Sequence, residues 1–482
     1  MIEQFSSAYM PGLALSVVAL LLFWAYHPQP TLPLPPGPPS EFLLGHTRVI
    51  PQENAAKVYS RWSREYISKD SDIIHVRSLG RSTIVLHSAE VAKDILEKKG
   101  ANFCDRPRFT LLEVMGWGKT LTFLPFGKCW QMHRKFLQTS FSNTNVRQWH
   151  ELQRNEAHHT VKNIIETPDT WEKSLRRFAV AIVLQVSYGT KVTSDDDPYI
   201  RIANDAMYAT GNGGVPANSV VDLVPFVRYL PDWLICDWSL RFARQWQWAI
   251  TKLHDVPFAA AQTEHGQKQE WALDDIKGAA GAVFIAGTDT TWATCVIFIL
   301  NMVLHPEIQK KAQAELDTVI GPGKLPRFSN RPRLPYIEHI VQETYRTVVY
   351  ANTYAIAHDE RVYENPQDFN PDRYGGGEPY PVGNFGFGRR VCVGRFLADN
   401  SVWIMVATML STLEFCKKVA QDGTPIEPRV QFTNGGTCLS LRQYETSSVT
   451  SLLTISDASH PEHFDCVIKP RTSKAEALFN AN

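Results

Sequence analysis

Phe385-Gly386-Phe387-Gly388-Arg389-Arg390-Val391-Cys392-Val393-Gly394 is the stretch on which the reading of the whole chain turns. Three glycines surround a single cysteine, and two arginines precede it. Glycine permits positive φ and lets a flat ligand come close to the main chain. Arginine can reach anionic groups such as propionates. The next segment, 395–410, reads as a helix. A cysteine just before a helix N-terminus has its thiolate favoured by backbone N–H groups and by the helix dipole. A thiolate on a glycine-rich loop is what an axial haem ligand needs. A lone cysteine is more often a buried structural residue. The weight therefore rests on the full spacing Phe385-x-x-Gly388-x-Arg390-x-Cys392-x-Gly394.

Other segments carry chemistry of their own. In Phe126–Phe136, Trp130 and Arg134 are four apart and share one helix face. An indole N–H and a guanidinium placed together can both bond a carboxylate, although a surface cation–π pair has the same spacing. Gly278–Leu304 holds a single charge, Asp289, so length and hydropathy alone would allow a membrane span. Its interior, Ala286-Gly-Thr-Asp-Thr-Thr291, places a carboxylate and three hydroxyls in six residues, which lipid would penalise. A wholly apolar helix can instead run through a protein core. The hydroxyls can bond back to carbonyls and open the helix locally. An opened helix with an acid and a hydroxyl makes a proton relay, here Asp289 and Thr290. Glu343 and Arg346 stand at i,i+3, where an ion pair is common and weak if exposed.

The cysteine stretch resembles the haem-binding signature of the cytochrome P-450 superfamily of haem-thiolate monooxygenases. The resemblance extends over nearly the whole chain and is to membrane-bound, fungal-like members. It implies a mainly α fold with a small β lobe, preceded by one N-terminal transmembrane helix. It implies haem b as cofactor, with Cys392 on the iron. Phe385, Gly388, Arg390 and Gly394 then belong to the haem loop, Trp130 and Arg134 to a propionate-binding helix, and Asp289 and Thr290 to the distal acid–alcohol pair. Arg373 would join Glu343 and Arg346 in a buried structural cluster. The implied reaction inserts one oxygen atom from O2 into an apolar small molecule, in a setting such as secondary metabolism. Gly375-Gly-Gly does not sit as a dinucleotide-binding turn should, so electrons are expected from a separate NADPH-dependent cytochrome P-450 reductase. Two alternatives stand beside this reading: a haem-thiolate isomerase or dehydratase, and a haem-deficient membrane-tethered protein without activity.

Composition bounds the reading without deciding it. The 482 residues balance 49 Lys+Arg against 49 Asp+Glu, which gives no electrostatic footprint for nucleic acid. Eight scattered cysteines show neither zinc spacing nor a disulfide framework and suit free thiols. Residues 4–40 carry no Asp, Glu, Lys or Arg, and Met10–Tyr26 is apolar except for Ser16. This 17-residue run reads as a retained anchor, 1–27, at the short end for a bilayer. A cleaved signal is disfavoured by Glu3 and by the lack of a small-residue cleavage site. Seven prolines from Pro28 to Pro39 give a stiff hinge, 28–40, before a catalytic domain, 41–482. By resemblance the anchor lies in the endoplasmic reticulum membrane, with the catalytic domain on the cytoplasmic side. Trp233, Trp238, Trp246 and Trp248 could reach lipid, but at least two are expected in the core.

Three places depart from the family pattern. Only 46 positions separate Arg346 from Cys392, and a hairpin-containing segment expected before Val348–Ala355 is absent. Gln262–Trp271 is a short polar link where an extra helix is expected. Residues 438–458 are Ser/Thr-rich and split what resembles one terminal unit. Two losses and one gain have the pattern of exon skipping and a retained intron.

Overall fold

The computed structural model describes residue 16 and residues 33–42, 44–51, 55–66, 72–78, 81–214, 219–235, 237–265, 273–347, 351–428, 430, 432, 438–442, 450–455 and 461–480. The anchor and the first part of the hinge lie outside these residues, apart from Ser16, as do 266–272 and 348–350. The chain divides into two units, Met1–Pro36 and Gly37–Asn482. The second unit holds every helix and strand from Ala55 onward.

The order of elements is mostly helical. Helix α1 (Ala55–Tyr66) precedes strands β1 (Ile73–Ser78) and β2 (Arg81–Leu86). Then come α2 (Lys128–Ser140), α3 (His150–Glu166), α4 (Trp171–Tyr188), α5 (Pro198–Asn212), α6 (Trp238–His265) and α7 (Leu273–Leu304). They are followed by α8 (Pro306–Val319), α9 (Pro335–Thr347), α10 (Ala351–Ala357) and α11 (Arg395–Thr412). Strands β3 (Leu413–Lys417), β4 (Cys438–Arg442), β5 (Thr450–Ile455) and β6 (Cys466–Pro470) come next, and a helix, Ser473–Asn480, follows them. Strands β1 and β2 pair antiparallel, with Ile73 opposite Leu86. Pro198 opens α5 at its first turn, and the Asp197 carboxylate accepts the Tyr199 N–H at 3.0 Å, which caps the helix start.

Helix α7 is the axis of the molecule. It is apolar all round, and most of its side chains from Gly278 to Val303 are buried. It packs on α4, α11, α6, α9, α2 and β3, so the run long enough for a membrane lies inside the protein. Gly287 makes the α4 contact possible: a Cβ there would lie 2.3 Å from Val183 Cγ1. The Thr288, Thr290 and Thr294 hydroxyls do bond back to the carbonyls of Phe284, Ala286 and Thr290, at 2.7, 2.7 and 2.8 Å. The helix nevertheless stays α throughout, against the expectation of a local opening. Packing on several sides holds the backbone where the hydroxyls alone would loosen it.

The β lobe is a four-stranded sheet in the order β1-β2-β5-β4, and β3 pairs with β6 in a second sheet. Residues 438–442 and 450–455, read as part of an insertion, are strands β4 and β5, and β5 pairs in parallel with β2. A β2 edge that would otherwise offer unpaired N–H and C=O groups is thereby covered. Phe432 and Pro461 are bridged antiparallel, so the flanks of the inserted stretch lie side by side. Of the four tryptophans weighed for lipid contact, Trp233, Trp238 and Trp248 are exposed, and Trp246 alone packs partly on the core. The expectation of at least two core residues fails because this segment folds as short turns and a helix face open to solvent.

Candidate functional site

Between α7 and the loop that leads into α11 lies a cavity of about 370 Å³, lined mainly by apolar side chains. Much of its wall comes from four stretches of chain, with Leu96, Arg106, Tyr345, Thr353 and the first turns of α11 completing it. Leu121, Trp130 and Arg134 come from α2 and the residues before it, and Ile182 and Val183 come from α4. Ala286, Gly287, Thr290, Thr291 and Thr294 come from α7, and Phe385 to Phe387, Arg390, Cys392 and Gly394 come from the loop. The tertiary fold thus gathers seven of the nine expected site residues around one space; Asp289 and Gly388 do not line it.

The loop geometry follows from its glycines. Gly388 has φ +59°, and a Cβ on it would lie 1.9 Å from the Leu96 carbonyl oxygen, so only glycine fits there. The Cys392 N–H donates to the Phe385 carbonyl at 2.7 Å and closes the loop. Gly394 is different: its φ is −86°, and a Cβ would meet nothing within 4 Å. Neither backbone nor neighbours require glycine there; what a side chain would do is protrude into the cavity. Cys392 lines that cavity, with its side chain accessible from it. Burial raises its thiol pKa, while the Gly394 and Arg395 N–H groups and the charges of Arg134 and Arg395 act in the opposite sense. The thiol is therefore protonated in the bare protein and needs a cation beside it to stay ionised.

Opposite the sulfur is an excess of buried positive charge. Arg134 is buried, and its Nε and Nη2 have no partner among the described residues. Arg390 donates through Nε to the Cys104 carbonyl at 2.7 Å and through Nη2 to the Leu124 carbonyl at 3.1 Å, but Nη1 has no partner among the described residues. The Arg390 guanidinium lies 4.5 Å from the Trp130 ring centre. Burial, with Arg106 and Arg134 nearby, lowers the Arg390 pKa to about 9. Buried guanidinium groups without counter-ions are costly, and two carboxylates would satisfy them. A planar group with two propionates and a metal that binds thiolate meets each demand: the arginines, the space at Gly394 and the Cys392 sulfur. The residues present fit haem.

Asp289 is turned away from this space. Its carboxylate is buried and lies 3.4 Å from Arg176 Nη1, on α4, and the Arg176 guanidinium stacks 3.6 Å over the Trp292 ring. Thr290, one residue on, lines the cavity. Adjacent positions on a helix point about 100° apart, so the pair divides between the cavity and the α4–α7 interface. Reading the sequence missed Arg176, because its partner is 113 residues away. It also missed Arg106, whose buried side chain lines the cavity beside Arg390. No local spacing signals either contact.

Under the cavity, Glu343 is fully buried and holds two arginines. Arg346 donates to Glu343 Oε1 through Nη2 at 2.7 Å, and Arg373 donates to the same oxygen through Nε at 3.3 Å. The Tyr374 hydroxyl donates to Oε2 at 2.6 Å. The arginines also reach loop carbonyls: Arg346 to Ala357, Pro366 and Asp368, and Arg373 to Glu364, Asn365 and Asp368. The expected three-residue cluster is present, and it fixes the loops that lead to Phe385.

The chain is also similar to known proteins. The family model described as Cytochrome P450 matches residues 35–348 and 346–435. The match is in two pieces that meet where a segment reads as missing. Cytochrome P450 monooxygenase 136 of Postia placenta is 30% identical, over 97% of this chain and 94% of its own length. That alignment runs over 522 positions, more than this chain has, so part of the relative has no counterpart here. Tryptamine 4-monooxygenase of Psilocybe cyanescens is 30% identical, over 92% of this chain and 94% of its own. A solved zebrafish cytochrome P450, described with abiraterone, superposes with a TM-score of 0.62 at 18% identity, covering 86% of this chain and all of that one.

Proposed function

The chain belongs to the cytochrome P450 family, and on that premise we propose a haem b monooxygenase that inserts one atom of O2 into an apolar small molecule. Family membership makes it an oxidoreductase of the monooxygenase kind. The observation that carries the reading is the convergence of the Cys392 sulfur and unpartnered buried arginine N–H groups on one apolar cavity. Haem held there by Cys392 would supply the oxidising chemistry.

The residues have separable tasks. Cys392 would hold the metal, and the N–H groups of Gly394 and Arg395 would stabilise its thiolate charge. Arg134, Trp130 and Arg390 orient the two carboxylates. Phe385 and the backbone at Gly388 fix the loop, and Gly394 leaves room. The apolar wall from α2, α4 and α7 excludes water and favours an apolar substrate. Thr290 holds a hydroxyl at the cavity face, and Asp289, behind it, holds a carboxylate that can exchange protons toward it through water.

Electrons come from a separate NADPH-dependent cytochrome P-450 reductase. The N-terminal run 1–27 anchors the protein in the endoplasmic reticulum membrane, the proline-rich hinge 28–40 spaces it from the bilayer, and the catalytic domain faces the cytoplasm. Phe226, Tyr229, Trp233 and Trp238 are exposed aromatic side chains of a kind that suits contact with that same bilayer.

The direct test is an absorption spectrum of the full-length protein, reduced and treated with carbon monoxide, followed by turnover with NADPH and reductase. A thiolate-type Soret band and NADPH-dependent product support the reading. A protein without haem absorbance overturns it, and product formed without electrons points to an isomerase or dehydratase. For the relay, Asp289→Asn is expected to lower product formation by about 10²-fold or more, the usual worth of a positioned acid. The carbon monoxide spectrum should stay unchanged, and Asp289→Glu should restore most of the rate. A wild-type rate in Asp289→Asn would remove the acid from the mechanism.

A further inference from the structure

Outside the cavity, Cys129, His133 and Asp275 meet where α2 packs on the first turn of α7. Cys129 and His133 are one turn apart on α2 and share a face. Cys129 Sγ lies 3.0 Å from Asp275 Oδ1 and 3.6 Å from His133 Nε2. His133 Nε2 lies 3.0 Å from the same Asp275 oxygen. Zinc bonds of about 2.3 Å to sulfur and about 2.0–2.1 Å to nitrogen and oxygen, at tetrahedral angles, place such ligand atoms about 3.3–3.6 Å apart. Each observed separation is within about 0.5 Å of that requirement.

We infer that Cys129, His133 and Asp275 form a site for a thiophilic divalent cation of the zinc type, with the fourth position left to water. The donor set selects the ion: a thiolate and an imidazole suit zinc and disfavour magnesium or calcium. The scaffold is rigid. His133 is 2% exposed, and its Nδ1 has no partner among the described residues, so a proton can reside there and leave the Nε2 lone pair facing the other two ligands. Gly278 lets α7 come close: a Cβ on it would lie 2.0 Å from the Lys119 carbonyl oxygen and 3.2 Å from His133 Cε1. Cys129 is exposed, which gives the ion a way in.

The charges also balance. In the bare protein, burial and then the Asp275 carboxylate push the Cys129 thiol up to about 11, so it donates a hydrogen bond to Asp275. A bound dication replaces that proton, which leaves to solvent, and the thiolate and carboxylate together neutralise the ion. Trp130 and Arg134 flank these ligands on α2. Occupancy would therefore clamp the helix that carries cavity residues to the helix that carries Thr290. The inference does not depend on what fills the cavity.

The test uses the full-length, haem-loaded protein in detergent, stripped with a chelator and then held at buffered free zinc. Iodoacetamide labelling of Cys129 is followed by peptide mass analysis, with Cys416 and Cys466 as internal references. Saturating zinc is expected to slow Cys129 alkylation by about tenfold or more, the factor that nine-tenths occupancy gives. Asp275→Ala should weaken the zinc dependence by about 10–100-fold or more, since loss of even an outer-shell partner costs that much. The reduced carbon monoxide spectrum should be the same in Asp275→Ala and wild type. Equal labelling rates with and without zinc overturn the site, as does protection that survives Asp275→Ala at the same free zinc.

Discussion

Replacing Cys392 by serine is expected to abolish the thiolate-type carbon monoxide spectrum and reduce oxygenase turnover to background. Loss of an outer-shell partner already costs metal sites about 10–100-fold, so loss of the ligand itself should exceed a hundredfold. Serine is nearly the same size and keeps the loop, because the Cys392 N–H bond to the Phe385 carbonyl involves the backbone alone. What changes is the donor atom: a hydroxyl is not ionised at neutral pH even where the Gly394 and Arg395 N–H groups and the Arg134 and Arg395 charges favour an anion. Spectra and turnover of purified Cys392→Ser would decide the matter. A variant with unchanged spectrum and full turnover would remove the foundation of the proposed function.

Glu343→Gln should be as severe for a different reason. Glu343 is fully buried and accepts from Arg346, Arg373, Tyr374 and the Asn370 N–H. The amide keeps the shape but removes the charge: buried Arg346 loses its counter-ion, and Arg373 is left with Glu378 alone, 2.8 Å from its Nη1. Breaking one side of a buried ion pair costs about 3–5 kcal/mol, against a total stability of about 5–15 kcal/mol for natural domains. Most of the margin would go, and the loops carrying Ala357, Pro366 and Asp368 would lose their tie to Arg346. The expected result is protein that is largely insoluble or purifies without haem, with a denaturation midpoint well below wild type in any soluble fraction. Replacing Arg361, an exposed arginine paired with Asp72 and Asp359, should cost far less, since exposed pairs contribute about 0–1 kcal/mol. Equal losses in the two variants would show that burial of the cluster is not what matters.

The missing segment bears on the same margin. The family match is interrupted at residues 346–348, immediately after the arginine of that cluster. The departure at 262–271 lies largely, and the one at 346–350 partly, outside the described residues. The inserted stretch contributes β4 and β5 to the sheet. Sequencing the native transcript would show whether all three departures belong to the expressed chain. A message that reproduces them would refute exon skipping and intron retention.

Local sequence determined the parts whose chemistry is local. Residues 385–394 announce a thiolate loop because the spacing of Gly388, Arg390, Cys392 and Gly394 is written in ten consecutive residues, although the carbonyl that makes glycine necessary at 388 belongs to Leu96. The Trp130–Arg134 face and the Glu343–Arg346 pair follow likewise from short periodicities. Tertiary structure decided what depends on distant partners. It kept α7 unbroken under packing from several sides, although its hydroxyls make the bonds that were expected to open it. It turned Asp289 toward Arg176 and Thr290 toward the cavity, set Arg390 against Trp130, and brought Asp275 to Cys129 and His133. A residue type and its spacing state what a side chain can do; which charge or void it meets is set by helices more than a hundred residues apart in the chain.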